Sequence, residues 1–199
     1  MKSDEIFPLN VLNQYTTNWN STKDYIEGAR KVLGQSEQYN PLKDRGRWML
    51  EPRDIALSIL RHQPFRSKLF EIGCGVGRVS HHLTGDFDTY CTDLFPSMLR
   101  LNTAQVIKLP FGGGFSVTGV LFCYVLQHCP PAVMEYMIEY LNRNTWKYIY
   151  MLESIIPSDF SGYNFRDGLY EMLNCEKIEE REWHHELNVT WVTLRRRDR

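Results

Sequence analysis

No stretch of about 18 consecutive apolar residues occurs in the 199-residue chain, which excludes a membrane-spanning helix of ordinary length. The opening MKSDEIFPLN does not show the basic-then-apolar pattern of a secretory signal. An excess of either charge is also missing. The 23 basic and 24 acidic side chains give a net charge of −1, so binding of nucleic acid through global positive charge is excluded, although a local basic patch is not. Cysteine is sparse and badly spaced for a framework. The five, at 74, 91, 123, 129 and 175, are odd in number and form no CxxC pair, so neither a disulfide scaffold nor a zinc site is expected. Thiols kept reduced in a cytoplasmic setting are the plain expectation. Internal repeats and low-complexity tracts are absent, and the length suits one domain rather than two independent cores.

Aromatic residues, at 13%, are plentiful. Tyr15, Trp19, Tyr25, Tyr39 and Trp48 crowd the first fifty positions, a polar stretch with no clean apolar period. Residues 1–53 read as an N-terminal cap, with one helix near 22–33, ahead of a core domain over 54–199. A first amphipathic helix is expected over 54–62, where Ile55, Ala56, Ile59 and Leu60 share a stripe and Pro64 ends it.

Strand and helix signals then alternate. Strands are expected over 68–72, 89–92, 105–108, 117–124 and 146–152. Helices are expected over 76–83, 96–102, from Pro131 onward, and over 165–174. Two further strands fall within 175–195, joined near 183–186. This order implies an α/β fold: a mostly parallel sheet with helices on both faces and an antiparallel edge from the last strand pair.

The chemistry-bearing stretch is Leu69-Phe70-Glu71-Ile72-Gly73-Cys74-Gly75-Val76-Gly77-Arg78. An apolar strand runs into glycines and then into an expected helix, whose N-terminus would favour an anionic group. Glycines allow a tight turn and a close approach of ligand to backbone, and open α/β sheets bind ligands at the carboxyl ends of their strands. A dinucleotide fingerprint would read G-x-G-x-x-G around a pyrophosphate. Here the spacing is G-x-G-x-G, with an acid two residues before it. A carboxylate at Glu71 suits a ligand with an ammonium group, such as S-adenosylmethionine, which carries no phosphate.

At this point the sequence resembles the class I S-adenosylmethionine-dependent methyltransferases, whose first motif is E/D-x-G-x-G-x-G. Asp93 follows Gly73 by 20 residues and opens Asp93-Leu94-Phe95-Pro96-Ser97-Met98-Leu99, similar to the family's D-x-S-P-x-M-L. Leu109-Pro110-Phe111 matches the L-P-F of a small-molecule subgroup, of methyltransferase type 11 or 25. Tyr124-Val125-Leu126-Gln127-His128 resembles the segment that closes the fourth strand. The resemblance spans roughly residues 54–195. It implies a Rossmann-like, seven-stranded fold with an N-terminal helical cap, and S-adenosylmethionine as cofactor with no metal. It places Glu71, Gly73, Cys74, Gly75, Gly77, Asp93, Leu94, Gln105, Val106 and Cys123 around that cofactor.

The sequence departs from the family in four places. Gln105 stands where an acid usually holds the adenine amino group. Phe115-Ser116 replaces F-D, and Asn142-Arg143-Asn144-Thr145 replaces P-G-G. Only fifteen residues lie between Asp93 and Leu109, so the intervening helix must be short.

Methyl transfer is an in-line displacement, so the protein must position a nucleophile and exclude water; a base is needed only for a protonated nucleophile. His128, after the fourth strand, is the candidate base, and capping of the next helix is its ordinary alternative. Trp19, Trp48 and Tyr124 are candidate acceptor contacts, by stacking or by enclosing the sulfonium, with packing of the cap as the alternative. His81 and His82 read as surface residues. His184 and His185 have no third ligand at metal spacing. Cys74, Cys91 and Cys123 read as small buried side chains, and the basic tail over 195–199 as a solvated end, with contact to RNA or an acidic substrate as its alternative. The expected acceptor is a small molecule rather than a nucleic acid or membrane. A tRNA or other RNA base methyltransferase, a cofactor-binding subunit without turnover and, more distantly, a nicotinamide oxidoreductase are the rivals.

Overall fold

A computed structural model describes residues 52–75, 77, 79–94, 96–102, 105–126, 129, 131–154, 169–184 and 189–198. The expected cap and its helix near 22–33 lie outside the described residues, as do Trp19, Trp48, Gln127 and His128.

Helix α1, Pro52–Leu60, buries Ile55, Ala56 and Ile59 on one stripe and leaves Leu57 half exposed on the other side. Asp54 sits in its first turn, where a negative charge complements the helix dipole. The chain turns over Pro64 into β1, Lys68–Ile72, and the short helix α2, Ser80–Leu83. Next come β2, Asp88–Thr92, helix α3, Pro96–Leu101, the two-residue strand β3, Ile107–Lys108, and β4, Gly119–Cys123. Helix α4, Pro131–Asn142, leads to β5, Tyr148–Ser154. Helix α5, Leu169–Met172, precedes β6, Cys175–His184, and β7, Val189–Arg196.

The seven strands form one sheet in the order β3-β2-β1-β4-β5-β7-β6. Pairings from β3 through β5 are parallel, and β7 runs antiparallel to both of its neighbours. The expected fold class is therefore the observed one, and the last strand pair forms the expected antiparallel edge. Within that pair β7 lies inside, between β5 and β6, and β6 forms the border. Trp191, Val192 and Leu194, all buried, explain the placement, because an edge would leave one flank of so apolar a strand unpaired.

Strand alternation divides the core between two faces. Phe70, Ile72, Val120, Phe122, Ile149 and Met151 pack against Met137, Ile138, Tyr140 and Leu141 of α4. Their neighbours Leu69, Leu121, Tyr150, Leu152 and Trp191 pack against Ile55 and Ile59 of α1 and Leu83 of α2. Helices thus cover both faces, as a parallel sheet requires.

Several boundaries moved. Helix α2 starts at Ser80 rather than at 76, because Gly75 and Gly77 hold left-handed backbone, with φ of +53° and +83°. A four-residue helix has little dipole, so the anion-binding argument made from its N-terminus falls. Strand β5 starts two residues late and reaches Ser154, which brings Glu153 into the sheet.

Candidate cofactor site

In this strand order the connections reverse between β1 and β4, and the loops leaving their carboxyl ends diverge. Ligands of open α/β sheets bind at such a point. Four of the residues singled out from the sequence meet there or beside it: Glu71, Gly73, Gly75 and Asp93.

The loop after β1 is bonded to the end of β2. Gly73 and Cys74 both donate their backbone N–H to the Thr92 carbonyl, at 2.9 and 3.0 Å. Gly75 donates its N–H to Asp93 Oδ2 at 2.8 Å. Asp93 is 7% exposed, so this is a charge-assisted bond in a largely desolvated setting. Glu71, 2% exposed, accepts a hydrogen bond from the Ser80 hydroxyl and so ties β1 to α2. Both acids are thus part of the frame that shapes the loop.

The three motif glycines have different surroundings. A Cβ at Gly73 would come within 2.5 Å of the Val125 side chain, and one at Gly77 would collide with Asn102. These two glycines permit close packing. Gly75 has nothing within 4 Å of where its Cβ would lie, and its φ is +53°. It presents bare left-handed backbone to open space, held by Asp93 from behind. That cradle suits a ligand approaching the main chain.

Cys74 is buried beneath the loop, where Asn102 Nδ2 reaches its sulfur and that of Cys91, each at 3.5 Å. A hydrogen bond with Cys91, then burial, then the nearby Glu71 carboxylate push the Cys74 thiol far above its ordinary range. Burial, with Glu153 and Asp93, does the same to Cys129. Neither is a nucleophile at neutral pH. Leu94 is half-buried just beyond β2. Gln105 is exposed and Val106 half-buried, immediately before β3. Cys123 ends β4, half-buried, and Tyr124 follows it with φ +58°, a backbone uncommon for any residue but glycine.

His81 and His82 are exposed, as expected. Among the described residues no group of three His, Cys, Asp or Glu side chains could hold a metal ion, and no helix is long and apolar enough to cross a membrane.

Two contributors escaped the sequence reading. Asn102 closes α3, is 2% exposed and fills the space beside Gly77. Glu153, 1% exposed near the end of β5, accepts the backbone N–H groups of Val125 and Leu126 at 2.9 and 3.0 Å. A usable signal for Glu153 existed. Like Glu71 and Asp93, it is an acid at the carboxyl end of an apolar strand.

No family model matches the chain, and no curated protein sequence matches it. Solved structures do. Magnesium protoporphyrin IX methyltransferase (ChlM) from Synechocystis PCC 6803, with bound SAM, aligns with a TM-score of 0.64 at 13% identity, covering 94% of this chain and 96% of that one. A TehB-like SAM-dependent methyltransferase from Corynebacterium glutamicum aligns with a TM-score of 0.61 at 13% identity, covering 88% and 98%. A putative RNA methyltransferase from Pyrococcus horikoshii aligns with a TM-score of 0.54 at 9% identity, covering 73% and 80%. The chain has the Rossmann-like fold of the class I S-adenosylmethionine-dependent methyltransferases.

Proposed function

We propose that the protein transfers a methyl group from S-adenosylmethionine to an O, N or C nucleophile of a small molecule. One observation carries the cofactor assignment: Gly75 offers unobstructed left-handed backbone at the β1 end, and its N–H is fixed by Asp93. The fit follows from the donor set. Glu71 and Asp93 provide negative charge, suited to an ammonium and to ribose hydroxyls. S-adenosylmethionine supplies an electrophilic methyl on a sulfonium.

In this reading Gly73, Cys74, Gly75 and Gly77 line the cofactor with their backbone, and Leu94, Val106 and Cys123 give it apolar walls. Gln105 offers an uncharged acceptor to the adenine amino group. Tyr124 borders the acceptor side of the crevice. Trp19 and Trp48 of the segment 1–53 cover the acceptor, and His128 removes a proton where the nucleophile carries one. The net charge of −1 supports a small acceptor over a nucleic acid. The fold likeness to methyltransferases, one of them with bound SAM, supports the reaction class.

Calorimetric titration with S-adenosylmethionine and S-adenosylhomocysteine is the primary test. Binding is expected, and its absence at millimolar ligand overturns the reading. Radiolabelled methyl incorporation into small molecules, against total RNA, then separates acceptor classes. Tight binding without turnover on either would reassign the chain as a non-catalytic cofactor-binding subunit. Unchanged cofactor and acceptor affinity in both Trp19→Ala and Trp48→Ala would return the segment 1–53 to a packing role.

A further inference from the structure

A buried carboxylate is a costly group to place at the end of an apolar strand, since burial removes its hydration. Glu153 follows Tyr150, Met151 and Leu152, all essentially buried, and is itself 1% exposed. One of its oxygens, Oε1, receives two successive backbone N–H groups, those of Val125 and Leu126. Those donors belong to the loop leaving β4, at the other wall of the crevice. The loop is also tied to β5 through the Tyr124 N–H, which donates to the Leu152 carbonyl at 2.9 Å. Its first residue, Tyr124, carries the left-handed φ of +58°, a conformation that persists only where its surroundings impose it. Val125, next in line, has its side chain against Gly73, so tightly that a Cβ at that glycine would overlap it.

From this chain of contacts we infer that Glu153 is a positioning residue for the cofactor crevice. Its carboxylate fixes the Val125 and Leu126 amides, and Val125 in turn fixes the Gly73 turn. The control runs from β5 across β4 to β1, so a residue that lines neither wall sets the gap between them. The inference deepens the cofactor reading above and rests on it for its ligand-binding consequence. The coupling between the two loops is a property of the protein alone.

The test compares Glu153→Ala, Glu153→Gln and Val125→Ala by amide hydrogen exchange without ligand, and by S-adenosylhomocysteine titration. Glu153→Ala is expected to speed exchange at least about tenfold both at 124–126 and at 73–75, and to weaken ligand binding by about tenfold or more. Glu153→Gln keeps an acceptor oxygen and is expected to stay within about threefold of wild type in both measurements. Val125→Ala is expected to speed exchange at 73–75 and to leave the Leu126 amide protected.

Should Glu153→Ala not fold, the Gln and Val125 variants still decide. Unchanged exchange at 73–75 in Val125→Ala breaks the proposed relay and overturns the inference. So does Glu153→Ala that melts earlier but keeps wild-type exchange at 73–75, or Glu153→Gln with exchange as fast as Glu153→Ala. Wild-type protein that binds no ligand overturns the cofactor reading instead, and the exchange data then judge the relay separately.

Discussion

On the β3-β2-β1-β4 side of the sheet the strands are two to five residues long, and the loops after β1 and β4 carry left-handed backbone at Gly73, Gly75, Gly77 and Tyr124. Polar side chains there, Asp93 and Asn102 among them, are spent on holding loops. On the β5-β7-β6 side the strands are seven, eight and ten residues long and the interior is aromatic. Trp191 is fully buried, with ring centroids 5.3 Å from Trp183 and 5.8 Å from Tyr150. The contrast is physical. Long antiparallel pairing with large side chains contributes stability, whereas short strands ending in strained turns provide a shaped opening at some cost to it.

If that division holds, the largest effect belongs to the aromatic side. Trp191→Ala is expected to lower unfolding free energy by about 3–5 kcal/mol, because it removes a fully buried indole ring and the surface of its neighbours cannot collapse to fill the space. Ligand affinity of the folded fraction, measured by calorimetry at low temperature, should stay within about threefold of wild type. A loss of affinity as large as the loss of stability would show that the two sides are not separable.

Gly75→Arg is the converse. The Cβ has room, so stability should fall only by the strain of a left-handed arginine, about 1–2 kcal/mol. The side chain would project into the crevice, and S-adenosylmethionine affinity should drop by at least about 100-fold, roughly 2.7 kcal/mol. Gly77→Ala should show the opposite balance. Its new methyl group meets Asn102, so stability falls by about 2 kcal/mol, and Asn102→Ala in the same chain should recover part of that loss. Chemical denaturation of the single and double variants measures the coupling, and strict additivity would show that the contact does not matter.

Which parts of this contrast were legible in advance follows from how local the deciding interactions are. The glycine motif, the strand before it and the acid at Asp93 announce themselves within a few residues, and the structure joins them through one bond from Gly75 to Asp93. The 96–102 helix was rightly expected to be short, since few residues lie between Asp93 and Leu109. Glu153 was missed because an acid at the end of an apolar run looks like the end of the strand. Its partners lie 28 and 27 residues away and are backbone groups, which leave no trace in side-chain identity. Likewise α2 was drawn too long because periodicity ignores the left-handed glycines inside it. The internal position of β7 depends on a hairpin folding back between two strands, and alternation alone does not order neighbours.

The smallest expected effect lies in a charged cluster of the stable side. Glu179 of β6 is met by His62 Nε2 at 3.0 Å, Arg61 Nη1 at 3.2 Å, Arg181 Nε at 3.3 Å and the Thr193 hydroxyl at 3.2 Å. Burial alone would raise its pKa, but the hydrogen bond with His62, the Arg181 charge and the Thr193 hydroxyl outweigh it and hold the carboxyl below its ordinary 4.5. A carboxyl held low in the folded state binds its proton more weakly there than in the unfolded chain. Its contribution is therefore complete above about pH 5 and fades as the pH falls through the ordinary carboxylate range and below. With the side chain 17% exposed and its cationic partners partly solvated, the contribution is about 1 kcal/mol. Glu179→Gln should lower stability by about that much at pH 7, and less as acid is added, so that the two proteins' melting temperatures draw together. Since the cluster binds the turn after α1 to the sheet border and touches neither crevice wall, ligand affinity should not follow this pH dependence. An affinity that fell in step with it would tie the charged border of the sheet to the crevice and erase the division between its two sides.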